Sequence, residues 1–176
     1  MTPTESISAI TNSSTCDPDV FKDFKQRIEE GSLSRDENPK THFGVFFLPY
    51  NFKNKKVFLV HHKKAGSWIS PGGHMDKGEV PYETLNREIF EELGIKKFFK
   101  TEPKPFLLTT VKINRDTHPC KKHYDIWYLV PTDGRDFNVD QQEFLDTKWL
   151  TVEEARALVT DPSNIKALNL VEQTHV

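Results

Sequence analysis

Cysteine is scarce in this chain of 176 residues: Cys16 and Cys120 are the only two, and neither belongs to a Cys-x-x-Cys pair. That excludes a disulfide framework, and a reducing cytosol, hence a cytoplasmic protein, is the simpler expectation. Surplus positive charge is also missing. The formal net charge is −2, whereas a protein that grips a nucleic-acid duplex electrostatically carries a strong basic excess. A duplex partner is therefore not expected, and a small phosphorylated ligand stays compatible. No apolar run is long enough to span a bilayer, and the opening MTPTESISAITNSST has neither the basic start nor the apolar stretch of a signal peptide. Internal repeats are absent. What is present, 36% hydrophobic and 28% charged residues, is the balance of an ordinary globular protein with one core.

Residues 1–16 are rich in Ser and Thr and are expected to be poorly ordered. From residue 17 to 176 the pattern reads as a single domain. Asp17, Pro18 and Gly31 suit the cap, first turn and stop of a helix whose Val20, Phe21, Phe24 and Ile28 fall at helical spacing. THFGVFFLPY and KKVFLVHH are short, Val- and Phe-rich and separated by a turn, which predicts two strands. KKAGSWISPGGHMDKGE reads as a loop with four glycines, and PYETLNREIFEELG as a helix bounded by Pro81 and Gly94. FLLTTVKI, KHYDIWYLV and DTKWLT follow as strands. Thr151 and Glu154 form a Thr-x-x-Glu capping box before EARALV, and a last helix is expected from Ser163 to Val171. Strands interleaved with helices predict an α/β fold, a mixed sheet with helices packed on it.

The stretch from Gly72 to Ile95 holds six acidic residues: Asp76, Glu79, Glu83, Glu88, Glu91 and Glu92. On a helical projection Tyr82, Leu85, Ile89 and Leu93 form one apolar stripe. Glu88, Glu91 and Glu92 share a separate face, related by i, i+3 and i+4. Like charges at that spacing repel, and Glu91 and Glu92 sit in the last turn, where the helix dipole disfavours anions. A solvated face is one explanation; a divalent cation held by hard oxygens, Mg²⁺ or Mn²⁺, is the other. Gly72 and Gly73 favour the second, because a backbone without side chains can approach a ligand. Arg87 adds a planar donor fork able to fix one glutamate.

The run Gly73, HMDKG, Glu79, VPYETLN, Arg87, Glu88, Ile89, Phe90, Glu91, Glu92, Leu93, Gly94, Ile95 resembles the signature of the Nudix hydrolases, Gly-x5-Glu-x7-Arg-Glu-aliphatic-x-Glu-Glu-x-Gly-aliphatic, at every specified position. SWISPGG before it is similar to that family's Trp-containing strand and Pro-Gly-Gly entry. The resemblance implies a Nudix-type α/β/α sandwich with a mixed sheet, to which the N-terminal helix is added. It implies metal-dependent hydrolysis of a diphosphate linked to another group, usually a nucleoside, with a nucleoside triphosphate or nucleotide sugar favoured. Glu88, Glu91, Glu92 and the Gly72 carbonyl would bind Mg²⁺ or Mn²⁺. Arg87 would orient a glutamate, and Glu79 would hold loop to helix. The proton of the attacking water would go to a glutamate of the signature, Glu91 or Glu92, or to one on a later loop, for which Glu143 is the candidate. The alternative is a Nudix-fold sensor that binds nucleotides without hydrolysis, although such members usually lose signature glutamates. Prenyl-diphosphate isomerisation is disfavoured, because no cysteine lies in the strands ahead of the signature.

Other residues have plainer readings. Trp68 is expected in the core rather than stacked on a base. His61, His62, Lys63 and Lys64 suit a polar turn as well as a phosphate contact, and Asp76 suits the surface. His118, Cys120 and His123 invite a zinc reading, but their spacing matches none of the common zinc patterns.

Overall fold

Short apolar runs between polar turns make strands, and capped amphipathic runs make helices. The structure, a computed structural model, describes residues 1–114 and 119–173. Its elements are α1 (Pro3–Ile10), α2 (Pro18–Glu30), β1 (Thr41–Asn51), β2 (Lys56–His62), β3 (Ser67–Ile69), β4 (Gly72–His74), α3 (Pro81–Leu93), β5 (Leu107–Lys112), β6 (Lys122–Pro131), β7 (Phe144–Thr151), α4 (Val152–Leu158) and α5 (Pro162–Gln173). The strands form a mixed sheet in the order β3-β2-β1-β6-β5, with β4 also paired to β1 and β7 to β2. β1 and β6 run parallel in continuous register, from Thr41 opposite Lys122 to Tyr50 opposite Pro131. The other edge of β1 is divided. β4 takes Gly44 to Phe46, and β2 takes Tyr50 and Asn51.

Because strand side chains alternate, β1 and β6 serve two layers. Phe43, Val45 and Phe47, with Tyr124, Ile126 and Tyr128, join Phe24, Ile28, Leu85 and Ile89 in a core under α1, α2 and α3. Leu48 and Tyr50 join Val57, Leu59, Val152, Ala155, Leu168 and Val171 in a second core under α4 and α5. Helices thus cover both faces, which is the expected α/β/α sandwich and explains why β1 is nearly apolar throughout. Tyr124 and Trp127 fall on opposite faces: Tyr124 packs with Phe24 and Phe43, Trp127 with Ala167 and Leu107. Among the described residues no helix is long and apolar enough to cross a membrane.

Three local expectations are corrected. Residues 1–16 are not unstructured: Thr2 and Glu5 form a reciprocal capping box for α1, and Ile7 is fully buried in the first core. Asp17 does not cap α2 with its side chain; its carboxylate pairs with Lys166 instead. The glycine-containing loop carries two short strands, β3 and β4, because its backbone pairs with β2 and β1. The capping box of Thr151 and Glu154 at α4 is present. α2 is fixed to the sheet by Arg27, buried at its C-terminal end, which donates to the carbonyls of Gly31 (2.6 Å), Ser32 (2.6 Å) and Thr41 (2.9 Å).

Candidate active site

Helix α3 begins at Pro81, and Glu83 reaches back to accept from the Val80 amide at 3.0 Å, satisfying a donor that the helix cannot. Leu85, Ile89 and Leu93 are buried in the first core as their spacing predicts. Tyr82, read with them, is only part-buried, and its hydroxyl donates to the Phe99 carbonyl at 2.8 Å. The acidic face is not a solvated one. Glu88 is 8% exposed and Glu92 2%, while Glu91 stays open to solvent.

Strand β4 is what covers them. The Gly72 amide donates to Glu92 Oε2 at 2.6 Å. The Glu88 carboxylate rests against Gly73 so closely that a Cβ there would meet Glu88 Oε1 at 2.2 Å. A Cβ on Gly72, whose φ is +141°, would meet the Val45 carbonyl at 2.3 Å. Both glycines are therefore required by approach: β4 must lie against β1 on one side and against the carboxylates on the other.

Arg87 ties the loop to the helix. Its Nε and Nη2 donate to Glu79 Oε1 (2.8 Å) and Oε2 (2.9 Å) as a bidentate pair. Nη1 donates to Glu88 Oε1 (2.7 Å) and Glu91 Oε2 (3.0 Å), and Nη2 also donates to the His74 carbonyl (3.0 Å). Glu79 accepts further from the Thr84 hydroxyl (2.7 Å) and the Asp76 amide (3.2 Å). Asp76 itself stands 3.7 Å from Arg87 Nε.

Their electrostatics differ. Burial pushes the Glu79 carboxyl up, but Arg87, Thr84 and the Asp76 amide outweigh it, so Glu79 ends below its ordinary value. Glu79 in turn is the main reason that Arg87 is held above its own. Glu88 goes the other way: burial pushes it up to about 7 despite the Arg87 contact. Glu92 is raised well above the usual range, first by burial and then by the charge of Glu88, with the Gly72 amide opposing. Two adjacent buried carboxyls that resist ionising together are a poor structural element and a suitable cation site. The donors are hard oxygens, and the charge missing from the pocket is positive. The residues present thus fit Mg²⁺ or Mn²⁺.

Gly72, Gly73, Arg87, Glu88, Glu91 and Glu92 line a cleft of about 1140 Å³, large enough for a nucleotide-sized ligand. Glu143 lies on it too, its carboxylate 3.8 Å from His62 Nε2 and 3.9 Å from Lys64 Nζ. Lys63 secures the Glu143 segment, its amide donating to the Glu143 carbonyl (2.9 Å) and its Nζ to the Gln141 carbonyl (2.7 Å). Trp68 does not line the cleft. It is part-buried, stacked on His61 with Lys148 over its ring. Cys120 and His123 do line it; His118 lies outside the described residues.

Asp125 is among the cleft residues that the sequence does not single out. Asp125, on β6, is 2% exposed, and its Oδ1 has no hydrogen-bond partner among the described residues. Burial, with Asp161 nearby, raises its carboxyl well above the usual range. The available signal was an acid inside the otherwise apolar run YDIWYLV.

The model of the NUDIX domain matches residues 40–171, three quarters of the chain. The chain belongs to the Nudix family. It is 31% identical to Nudix hydrolase 6 of Arabidopsis thaliana over 138 residues, 73% of this chain and 44% of that one. It is 27% identical to nucleoside diphosphate-linked moiety X motif 6 of Mus musculus over 133 residues, 73% of this chain and 41% of that one. This Nudix chain therefore spans less than half the length of these curated relatives. In fold it is similar to the dihydroneopterin triphosphate pyrophosphohydrolase of E. coli, with TM-score 0.58 and 21% identity over 72% of this chain and 92% of that one. The matched region starts just ahead of β1, so α1 and α2 lie outside it.

Proposed function

We propose that this Nudix chain hydrolyses the diphosphate linkage of a nucleoside diphosphate derivative, a nucleoside triphosphate or nucleotide sugar by preference, in the presence of Mg²⁺ or Mn²⁺. The observation that carries this reading is the burial of Glu88 and Glu92 side by side under β4, at a cleft of nucleotide size. The name of the Arabidopsis relative, a hydrolase, supports it.

In this reading Glu88, Glu91, Glu92 and the Gly72 carbonyl hold the cations. Bound Mg²⁺ or Mn²⁺ supplies Lewis-acid stabilisation of the phosphoryl oxygens and acidifies the attacking water. Arg87 holds Glu88 and Glu91 in place, and Glu79 keeps Arg87 from turning away. Glu143, at the cleft, accepts the proton from the attacking water; Glu91 and Glu92 are its rivals for that role. Cys16 and Cys120, neither in a disulfide, suit a reducing cytosolic compartment.

The test is a panel of nucleoside triphosphates, nucleotide sugars and dinucleotides, each assayed with Mg²⁺ and with Mn²⁺. Cation-dependent cleavage is expected, seen as pyrophosphate and a nucleoside monophosphate from a triphosphate, a nucleoside monophosphate and a sugar phosphate from a nucleotide sugar, and two nucleotides from a dinucleotide. Binding of panel members without turnover would replace this reading with a non-catalytic sensor.

A further inference from the structure

Four potential soft-metal ligands converge beside the carboxylates, from three strands and one loop. His42 is on β1, His74 ends β4, His123 is on β6, and Cys120 precedes β6. Their ligating atoms all lie within 4.8 Å of one another. The three imidazole centroids form a triangle with sides of 4.6, 4.9 and 4.8 Å. The sheet register builds this arrangement: His42 stands opposite His123 in the parallel pair, and His74 stands opposite Gly44, two residues along β1.

Two of the six ligand-to-ligand distances are those of tetrahedral edges. Zinc bonds of about 2.0–2.1 Å to nitrogen and about 2.3 Å to sulfur set tetrahedral edges of about 3.3 Å for N···N and about 3.5 Å for N···S. His74 Nε2 and His123 Nε2 stand 3.2 Å apart, and Cys120 Sγ and His42 Nε2 stand 3.6 Å apart. His42 Nδ1 faces the Asn38 carbonyl at 2.9 Å. That acceptor places the hydrogen on Nδ1 and leaves Nε2 with its lone pair toward the cluster, the arrangement by which an outer carbonyl orients a ligating histidine. His42 and Cys120 are buried, and His74 and His123 half-buried. A divalent cation can take a lone pair from each of the three imidazoles and from the thiolate at once.

We propose that His42, His74, Cys120 and His123 form a four-coordinate Zn²⁺ site, distinct from the carboxylate site, that fixes β4 against β1 and β6. Donor chemistry separates the two: three nitrogens and a sulfur select zinc, and the glutamate oxygens select Mg²⁺ or Mn²⁺. They are mechanically joined, since the carbonyl of His74 accepts from Arg87 and the Gly72 amide two residues earlier donates to Glu92. With four protein ligands the zinc site is closed and structural. It does not rest on the proposed hydrolysis.

The purified chain is dialysed with Zn²⁺ in excess Mg²⁺ and its metal content measured. Co²⁺ then replaces Zn²⁺ for absorption spectroscopy. One equivalent of retained zinc is expected, together with tetrahedral cobalt bands and a sulfur-to-cobalt charge-transfer band. Cys120→Ser removes the charge-transfer band, and Cys120→Ser with His123→Asn removes the retained equivalent. Glu88→Gln with Glu92→Gln keeps both signals. Failure of the parent chain to retain zinc, or a cobalt spectrum without the thiolate band, overturns the proposal without recourse to any variant. Loss of zinc in the glutamate variant but not in the Cys120 and His123 variant overturns it as well.

Discussion

Helix α3 buries two stripes of side chains, and they act on the fold in opposite directions. Leu85, Ile89 and Leu93 are at most 1% exposed, and each contributes roughly 1.5–3 kcal/mol by leaving water. Glu88 and Glu92 lie nearly as deep on the adjoining side, yet burial raises both carboxyls, so their desolvation works against folding. The apolar stripe, the Arg87–Glu79 clamp and the Gly72 amide hold the helix in place while it carries the acids. Burial on one helix therefore has two meanings, and they separate by chemistry rather than by depth.

Cutting each stripe in turn breaks the comparison most sharply. Ile89→Ala is expected to lower stability by about 2–5 kcal/mol in urea denaturation, with turnover per folded molecule kept. Glu92→Gln is expected to do the reverse: turnover falls at least about a hundredfold, as for loss of one group that stabilises a transition state, while melting without divalent cations is unchanged or higher. An Ile89→Ala variant as stable as the parent, or a Glu92→Gln variant that turns over normally, would erase the distinction.

A smaller effect is expected at Glu143, which is more exposed and outside the helix. Glu143→Gln should lower turnover about a hundredfold if it takes the proton, the low end of the range for general bases, and leave the melting temperature unchanged. Full turnover would remove it from the mechanism.

The smallest effect is electrostatic. Glu88 is raised to about 7 on folding and Glu92 is raised further. The folded state thus binds more protons than the unfolded one above the ordinary carboxylate range, and stability must fall as pH rises through about 7. In chelator, the melting temperature of the parent relative to the Glu88→Gln, Glu92→Gln variant should decline from pH 5 to pH 8. Saturating Mg²⁺ should abolish the decline. A parent that gains on the variant as pH rises in chelator would show that the buried pair is not strained.

Much of this was legible beforehand, because it is local. Helix spacing, the glycine pair and the order of strands are properties of neighbouring residues, and α3, β1, β5 and β6 lie where their patterns place them. The Thr-x-x-Glu box at Thr151 is plain in the sequence, whereas the same pattern at Thr2 lies within a Ser- and Thr-rich composition; what orders α1 is Ile7, buried in the core that α2 and α3 also cover. The helical projection separates the acids from the apolar stripe but cannot show that β4 covers them. His42 and His74 stand far from Cys120 in sequence, so no spacing rule joins them; only the sheet register does. Asp125 looks like any strand acid until the fold buries it beside the cleft.

The parallel alignment of Thr41 with Lys122 sets an order of events for the newborn chain. Its two members are some eighty residues apart, so loop-closure entropy opposes their meeting until the intervening segment has emerged. Helix α3 can coil early, on the ribosome, but it has no finished floor to dock on until β6 arrives. The pocket is therefore a late product of synthesis, and a chain stopped before residue 122 would carry every glutamate of the signature and no place to use them.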